Sequence, residues 1–103
     1  MTQRSAFVLR VRPDRIDDYL ASHRTVWPEM LAALRGAGIR NYTIFRAGNE
    51  VFGYFESDDL ERAAAYLATQ ETSTRWQDAM AELLEERVPD KGPPPLEEIF
   101  RLD

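Results

Sequence analysis

The run Arg40-Asn41-Tyr42-Thr43-Ile44-Phe45-Arg46-Ala47-Gly48-Asn49-Glu50-Val51-Phe52-Gly53-Tyr54-Phe55-Glu56 reads as a β-hairpin. Residues 40–45 and 51–56 are the two arms, rich in the aromatic and β-branched side chains that suit a pleated surface. The link Ala47-Gly48-Asn49-Glu50 is short enough to fold the chain straight back on itself. Everything else in the chain is placed by what lies on either side of this hairpin.

Upstream, Gly36 and Gly38 stop a segment whose apolar residues fall at helical spacing: Ile16, Tyr19, Leu20, Trp27, Met30, Leu31 and Leu34. Pro28 interrupts it by removing a backbone donor and disfavouring helical geometry at Trp27, so a kink or two short helices is expected, the second opening at Pro28. Asp14, with Asp17 three residues on, is the expected cap of the first. Before it, Ala6 to Val11 has strand composition and ends at Arg12-Pro13-Asp14. Downstream, Asp58 or Asp59 is expected to start a helix through Leu67, Thr69 to Thr74 a turn, and Trp76, Met80, Leu83 and Leu84 a further helical stripe. Val88 to Pro95, with four prolines and a glycine, reads as a loop, and Leu96 to Leu102 as a last strand.

The predicted order is strand, helix, strand, strand, helix, strand: an α+β chain with the ferredoxin-like βαββαβ arrangement, forming one domain over residues 1–103. The strands are apolar on both alternating sets, Phe7, Leu9 and Val11 against Ala6 and Val8, and Tyr42 and Ile44 against Phe45. Helices cover one face of such a sheet. A second copy packed on the other face is the simplest remedy; scattered surface apolar residues are the alternative.

Composition narrows the function. The formal net charge of −5 opposes binding to nucleic-acid backbones or anionic membranes. With no cysteine and one histidine, thiolate metal sites are excluded and a zinc or copper site is not expected. No apolar run approaches a membrane span and the N-terminus lacks a signal pattern, so a cytoplasmic location is expected. There is no Gly-rich phosphate loop, nucleophile elbow or nucleotide fingerprint.

Tyr19, His23 and Trp27 are spaced four apart and share the apolar face of the first helical segment. An imidazole between aromatic rings could serve as an acid–base group in a sugar-sized pocket, because rings match the C–H faces of a sugar and histidine titrates near neutrality. Spacing alone favours a half-buried structural histidine. Asn41 and Tyr42 could bind sugar hydroxyls or simply sit at a sheet edge. Trp76 could be a stacking platform or a core tryptophan. Glu82, Glu85 and Glu86 read as a solvated helix face, and Pro93-Pro94-Pro95 as a stiff loop.

Ala6-Phe7-Val8, Pro13, Tyr19, His23, Trp27-Pro28-Glu29-Met30, Gly38, Asn41-Tyr42, Trp76, Met80 and Glu98-Ile99-Phe100 together resemble the L-rhamnose mutarotase family. The Tyr-x-x-x-His-x-x-x-Trp-Pro-Glu run followed by Asn-Tyr carries most of that resemblance. It implies a homodimeric α/β barrel that interconverts the α and β anomers of L-rhamnopyranose without a cofactor. It implies His23 as proton donor, with Tyr19, Tyr42 and Trp76 binding the sugar. Family members can carry Trp-Trp where this chain has Trp76-Gln77, and the hairpin is short here; both bear on the sugar more than on the reaction. Competing readings are a mutarotase for L-fucose, L-lyxose or another deoxy-sugar, a cofactor-free monooxygenase or haem-handling dimer of the same architecture, and a non-catalytic sugar-binding module.

Overall fold

A computed structural model describes residues 1–86, 88 and 92–103. Strand β1 (Gln3–Arg10) leads through a single turn of 3-10 helix into α1 (Ile16–Arg24) and α2 (Pro28–Gly36), followed by β2 (Arg40–Ala47), β3 (Glu50–Ser57), α3 (Leu60–Ala68) and α4 (Glu71–Ala81). The hairpin forms, and β3 lies between β1 and β2 in an antiparallel sheet of order β1-β3-β2. Both neighbours of β3 are therefore reached through crossing helices or the hairpin link, and the helices gather on one face.

The break between α1 and α2 follows the proline. Trp27 holds an extended conformation, φ −55° and ψ 133°, and Pro28 takes the first helical position, where its missing N–H costs nothing. Val11, Tyr19, Met30, Val51, Trp76, Met80, Leu83 and Leu84 form the core between helices and sheet. Phe7 pairs across the sheet with Gly53, and a side chain at 53 would overlap the Phe7 ring, so glycine there leaves room for that ring.

The two sheet faces differ in burial. Val51 and Phe7 are buried and Ile44 packs on the core. On the opposite face, Val8, Phe52 and Phe45 stand in register across three strands and show 36%, 39% and 66% of their surface.

Three expectations are corrected. No strand forms over Leu96–Leu102. The segment passes the free edge of β1, where the Leu96 amide donates to the Ala6 carbonyl at 2.7 Å and Arg4 bonds Glu98 through both carboxylate oxygens at 2.8 and 2.9 Å. One backbone bond does not make a ladder, and Ile99, Phe100 and Leu102 remain exposed. Asp14 caps nothing, because it falls inside the 3-10 turn and α1 starts from Arg15 without a side-chain cap. The expected turn at Thr69–Thr74 is shorter, since α4 begins at Glu71. Leu83 and Leu84 are buried as their spacing suggested, though beyond the end of α4. They are held by pairing with residues 10–12: the Arg12 amide donates to the Leu83 carbonyl at 2.8 Å, and the Glu85 amide to the Arg10 carbonyl at 2.9 Å. Asp59 does cap α3, accepting from the Arg62 amide at 3.0 Å. The Val88–Pro95 loop lies partly outside the described residues.

Candidate active site

Helix α1 places Tyr19 and His23 one turn apart on the face turned to the core, and their rings stack, with centroids 4.3 Å apart and planes at 29°. Trp76, on the buried side of α4, meets the His23 ring edge-on at 5.4 Å and the Trp27 ring edge-on at 5.1 Å. The helix break at Pro28 and the packing of α4 on α2 thus bring four aromatic or imidazole rings into one cluster.

These rings keep polar atoms to spare. Tyr19 and Trp76 show only 5% and 8% of their surface. Yet among the described residues neither the Tyr19 hydroxyl nor the Trp76 Nε1 has a hydrogen-bond partner, nor does His23 Nε2, and no sealed side-chain nitrogen or oxygen is left unpaired. None of these unpaired atoms is fully sealed from solvent. Buried polar groups normally find partners, and three neighbouring side chains here each keep a donor or acceptor without a protein partner among the described residues. The other imidazole nitrogen is engaged: Nδ1 lies 2.9 Å from the Tyr19 carbonyl oxygen and 3.1 Å from the Ser22 hydroxyl.

Tyr42 comes from the sheet. Between Arg40 and Thr43 the pairing of β2 with β3 slips by one residue, and Asn41 adopts φ 53°, in the left-handed region that asparagine tolerates. The Asn41 side chain donates to Glu56 Oε1 at 2.8 Å, tying the bulge to β3. Beyond the bulge, Tyr42 lies edge-on to Phe7 at 6.3 Å and against Phe55 at 5.3 Å, on the helix-covered face. Its side chain is 40% exposed. Even so, its phenol is held above the ordinary value by desolvation and then by the phenol of Tyr19. Burial pushes the Tyr19 phenol up to about 12. Both phenols stay protonated at neutral pH, each with a proton it can donate.

Among the sequence candidates, Tyr19, His23 and Trp76 are thus brought together, and Tyr42 approaches them from the sheet. Trp27 braces Trp76. Asn41 shapes the bulge and bonds Glu56. Gln77 is exposed on the far side of α4 from its neighbour Trp76, and Glu82, Glu85 and Glu86 are exposed. Sequence reasoning missed Phe55 and Ser22. Phe55 was legible only as a strand residue. Ser22 lies three residues after Tyr19, the separation at which a helical serine reaches back to a carbonyl, and that spacing was its one signal. Among the described residues no group of three or more His, Asp or Glu side chains is placed to hold a metal ion.

An open cleft of about 350 Å³ is lined by Leu31, Leu34, Arg35, Ile39, Arg40, Asn41 and Tyr42. Of the candidate site residues it shares Asn41 and Tyr42, and it lacks His23.

The family model described as L-rhamnose mutarotase matches residues 4–102. An L-rhamnose mutarotase of Pectobacterium carotovorum is 38% identical, with 97% of this chain and 98% of that one covered. One of Oceanobacillus iheyensis is 33% identical, over 98% and 99%. The crystal structure of an L-rhamnose mutarotase from Formosa agariphila superimposes with a TM-score of 0.78 at 29% identity, covering 98% of this chain and 99% of that one.

Proposed function

The chain belongs to the L-rhamnose mutarotase family, and on that premise we propose that its site interconverts the α and β anomers of L-rhamnopyranose with His23 as the acid–base group. The activity is that of an aldose mutarotase, an isomerase acting on carbohydrates. The observation that carries the site assignment is the ring cluster in which Tyr19, His23 and Trp76 each keep a polar atom open beside an otherwise packed core.

Mutarotation breaks the bond between the anomeric carbon and the ring oxygen. The anomeric hydroxyl loses its proton, the ring oxygen gains one, and an open-chain aldehyde results. Rotation about the adjoining carbon–carbon bond presents the other face of the aldehyde. The former ring oxygen then attacks it while both proton transfers reverse, and the net proton count is unchanged. An imidazole suits both directions because it exists in both forms near neutral pH. Tyr19 and Tyr42, neutral phenols, donate hydrogen bonds to sugar oxygens. The ring of Trp76 and its Nε1 face the apolar and polar parts of the pyranose. No cofactor enters this scheme.

The protein works as one domain over residues 1–103 and as a homodimer. The exposed row Val8, Phe52 and Phe45 on the uncovered sheet face supports this assembly, since a second copy would bury it. The described residues include no helix long and apolar enough to cross a membrane, and a cytoplasmic location suits a cysteine-free chain. The sugar itself is the partner; neither nucleic acid nor membrane enters the scheme. The deciding experiment is NMR saturation transfer between the anomers of L-rhamnose with and without protein, run beside L-fucose and L-lyxose. Faster exchange of L-rhamnose than of the others is the expected result. Exchange at the buffer rate for every sugar would refute the assignment.

A further inference from the structure

The neighbourhood of the His23 ring fixes more than its position. Nδ1 lies 2.9 Å from the Tyr19 carbonyl oxygen. A carbonyl can only accept a hydrogen bond, so this contact is attractive only when Nδ1 carries a proton. With the proton on Nε2 instead, two lone pairs would face each other at hydrogen-bond distance. The Ser22 hydroxyl completes the arrangement. It donates to the same Tyr19 carbonyl at 2.7 Å and presents its oxygen to Nδ1 at 3.1 Å. With its one proton committed to the carbonyl, that oxygen is a second acceptor for Nδ1–H. Ser22 Oγ also lies 3.7 Å from the Met80 sulfur on α4. The Tyr19 ring beneath and the Trp76 ring at the edge stop the imidazole from turning over.

We infer that the Tyr19 carbonyl and the Ser22 hydroxyl lock neutral His23 in the Nδ1–H tautomer, making Nε2 the nitrogen that exchanges protons with the sugar and Ser22 a positioning residue for it. This rests on the acid–base reading of His23 given above. Among the described residues Nε2 is the ring nitrogen with no protein partner, and it is not sealed from solvent, so a reacting proton can reach it. Free in solution an imidazole divides its proton between the two nitrogens; a fixed tautomer keeps the lone pair on the reactive side in every neutral molecule. Second partners of this kind orient metal-bound imidazoles in the same way, and their loss typically costs about 10–100-fold. Ser22 shares its task with a backbone carbonyl that no substitution removes, so the lower end of that range applies.

His23 is the sole histidine, which makes the test direct. In protein labelled with nitrogen-15 histidine, long-range proton–nitrogen correlation of the neutral ring shows which nitrogen carries the proton, in the absence of any sugar. The expected wild-type result is a protonated Nδ1 and a lone pair on Nε2. Ser22→Ala is expected to move the ring towards a mixture of tautomers and to slow anomer exchange about tenfold, mainly in kcat, with Ser22→Thr, which keeps the hydroxyl, restoring both. A proton on Nε2 in the wild-type ring would overturn the inference. So would a folded Ser22→Ala protein with an unmixed Nδ1–H ring and undiminished exchange. Failure of the underlying reading looks different: His23→Ala would then retain exchange while the wild-type tautomer stayed as stated.

Discussion

Trp76 stands edge-on to His23, with ring centroids 5.4 Å apart and planes at 76°. It also closes the core, with 8% of its surface exposed. Its two roles separate by substitution. Trp76→Ala removes a large buried ring and is expected to cost about 3–5 kcal/mol, a large share of the stability of a domain this size. Trp76→Phe keeps most of the packing and loses Nε1; it is expected to raise KM with a small fall in melting temperature. Thermal melts beside anomer-exchange kinetics check both.

The proximity of Trp27 and Trp76, 5.1 Å between ring centroids, bears on a fluorescence assay. In a Trp27→Phe protein the remaining emission comes from Trp76 and is expected to change on addition of L-rhamnose. A Trp76→Phe protein, reporting from Trp27, is expected to respond weakly. Equal responses from the two would place the sugar elsewhere.

Ile44 and Phe45 are neighbours on β2 that face opposite ways. Phe45 is exposed in the row with Phe52 and Val8, whereas Ile44 packs on the core. Phe45→Asp is expected to leave the protomer folded and weaken the dimer. Ile44→Asp puts an unpaired charge against the core and is expected to cost about 2–4 kcal/mol. Light scattering and urea melts distinguish them; a wild-type protein that is monomeric at micromolar concentration would contradict the homodimer.

Much of this was legible in the sequence. The hairpin, the break at Trp27-Pro28 and the Asp59 cap follow from local rules that few residues enforce. The spacing of Tyr19 and His23 put them on one helix face, and that is where they lie; Trp27, expected on the same face, falls past the end of α1 and meets Trp76 from the break before α2. What was not legible depended on contacts between distant segments. Leu96 to Leu102 has strand composition, but a strand also needs a run of backbone partners, and here only the Leu96 amide bonds the backbone of β1. Which of Ile44 and Phe45 faces the core turned on the register of the hairpin, in which Ile44 pairs with Gly53 and Phe45 with Phe52. Ser22 drew no notice because a serine within a helix is ordinarily a solvent-facing residue, whereas here its hydroxyl meets the Tyr19 carbonyl and His23 Nδ1.

The bulge itself is testable. Asn41 holds φ 53°, a conformation that asparagine and glycine accept and β-branched residues resist. Asn41→Gly is expected to keep activity, apart from the loss of the bond to Glu56. Asn41→Val is expected to destabilise by about 1–3 kcal/mol or to straighten the strand and displace Tyr42, read as a higher KM. Identical kinetics for the two variants would disconnect the bulge from Tyr42.

Stability is expected to fall in alkali for a reason that can be assigned. The folded Tyr19 phenol is raised by burial to about 12 from its ordinary value of 10.0. Below pH 10 both folded and unfolded chains keep the proton, and the stabilisation is fully present. Between about pH 10 and 12 the unfolded chain loses it first, so stability declines across that window. Tyr42, raised for the same first cause, adds to the slope. Urea melts at stepped pH are expected to show a shallower alkaline decline for Tyr19→Phe than for wild type; equal slopes would mean the phenol is solvated in the folded protein.

The most direct test of the account is anomer exchange by His23→Ala, measured by NMR saturation transfer with the uncatalysed background subtracted. No other imidazole is available to take over. The variant is expected to fold, to dimerise and to lose exchange by on the order of 10²–10⁴-fold, the range for one acid–base group. A folded His23→Ala protein that exchanges the anomers of L-rhamnose at close to the wild-type rate would leave His23 a structural residue and contradict the mechanism.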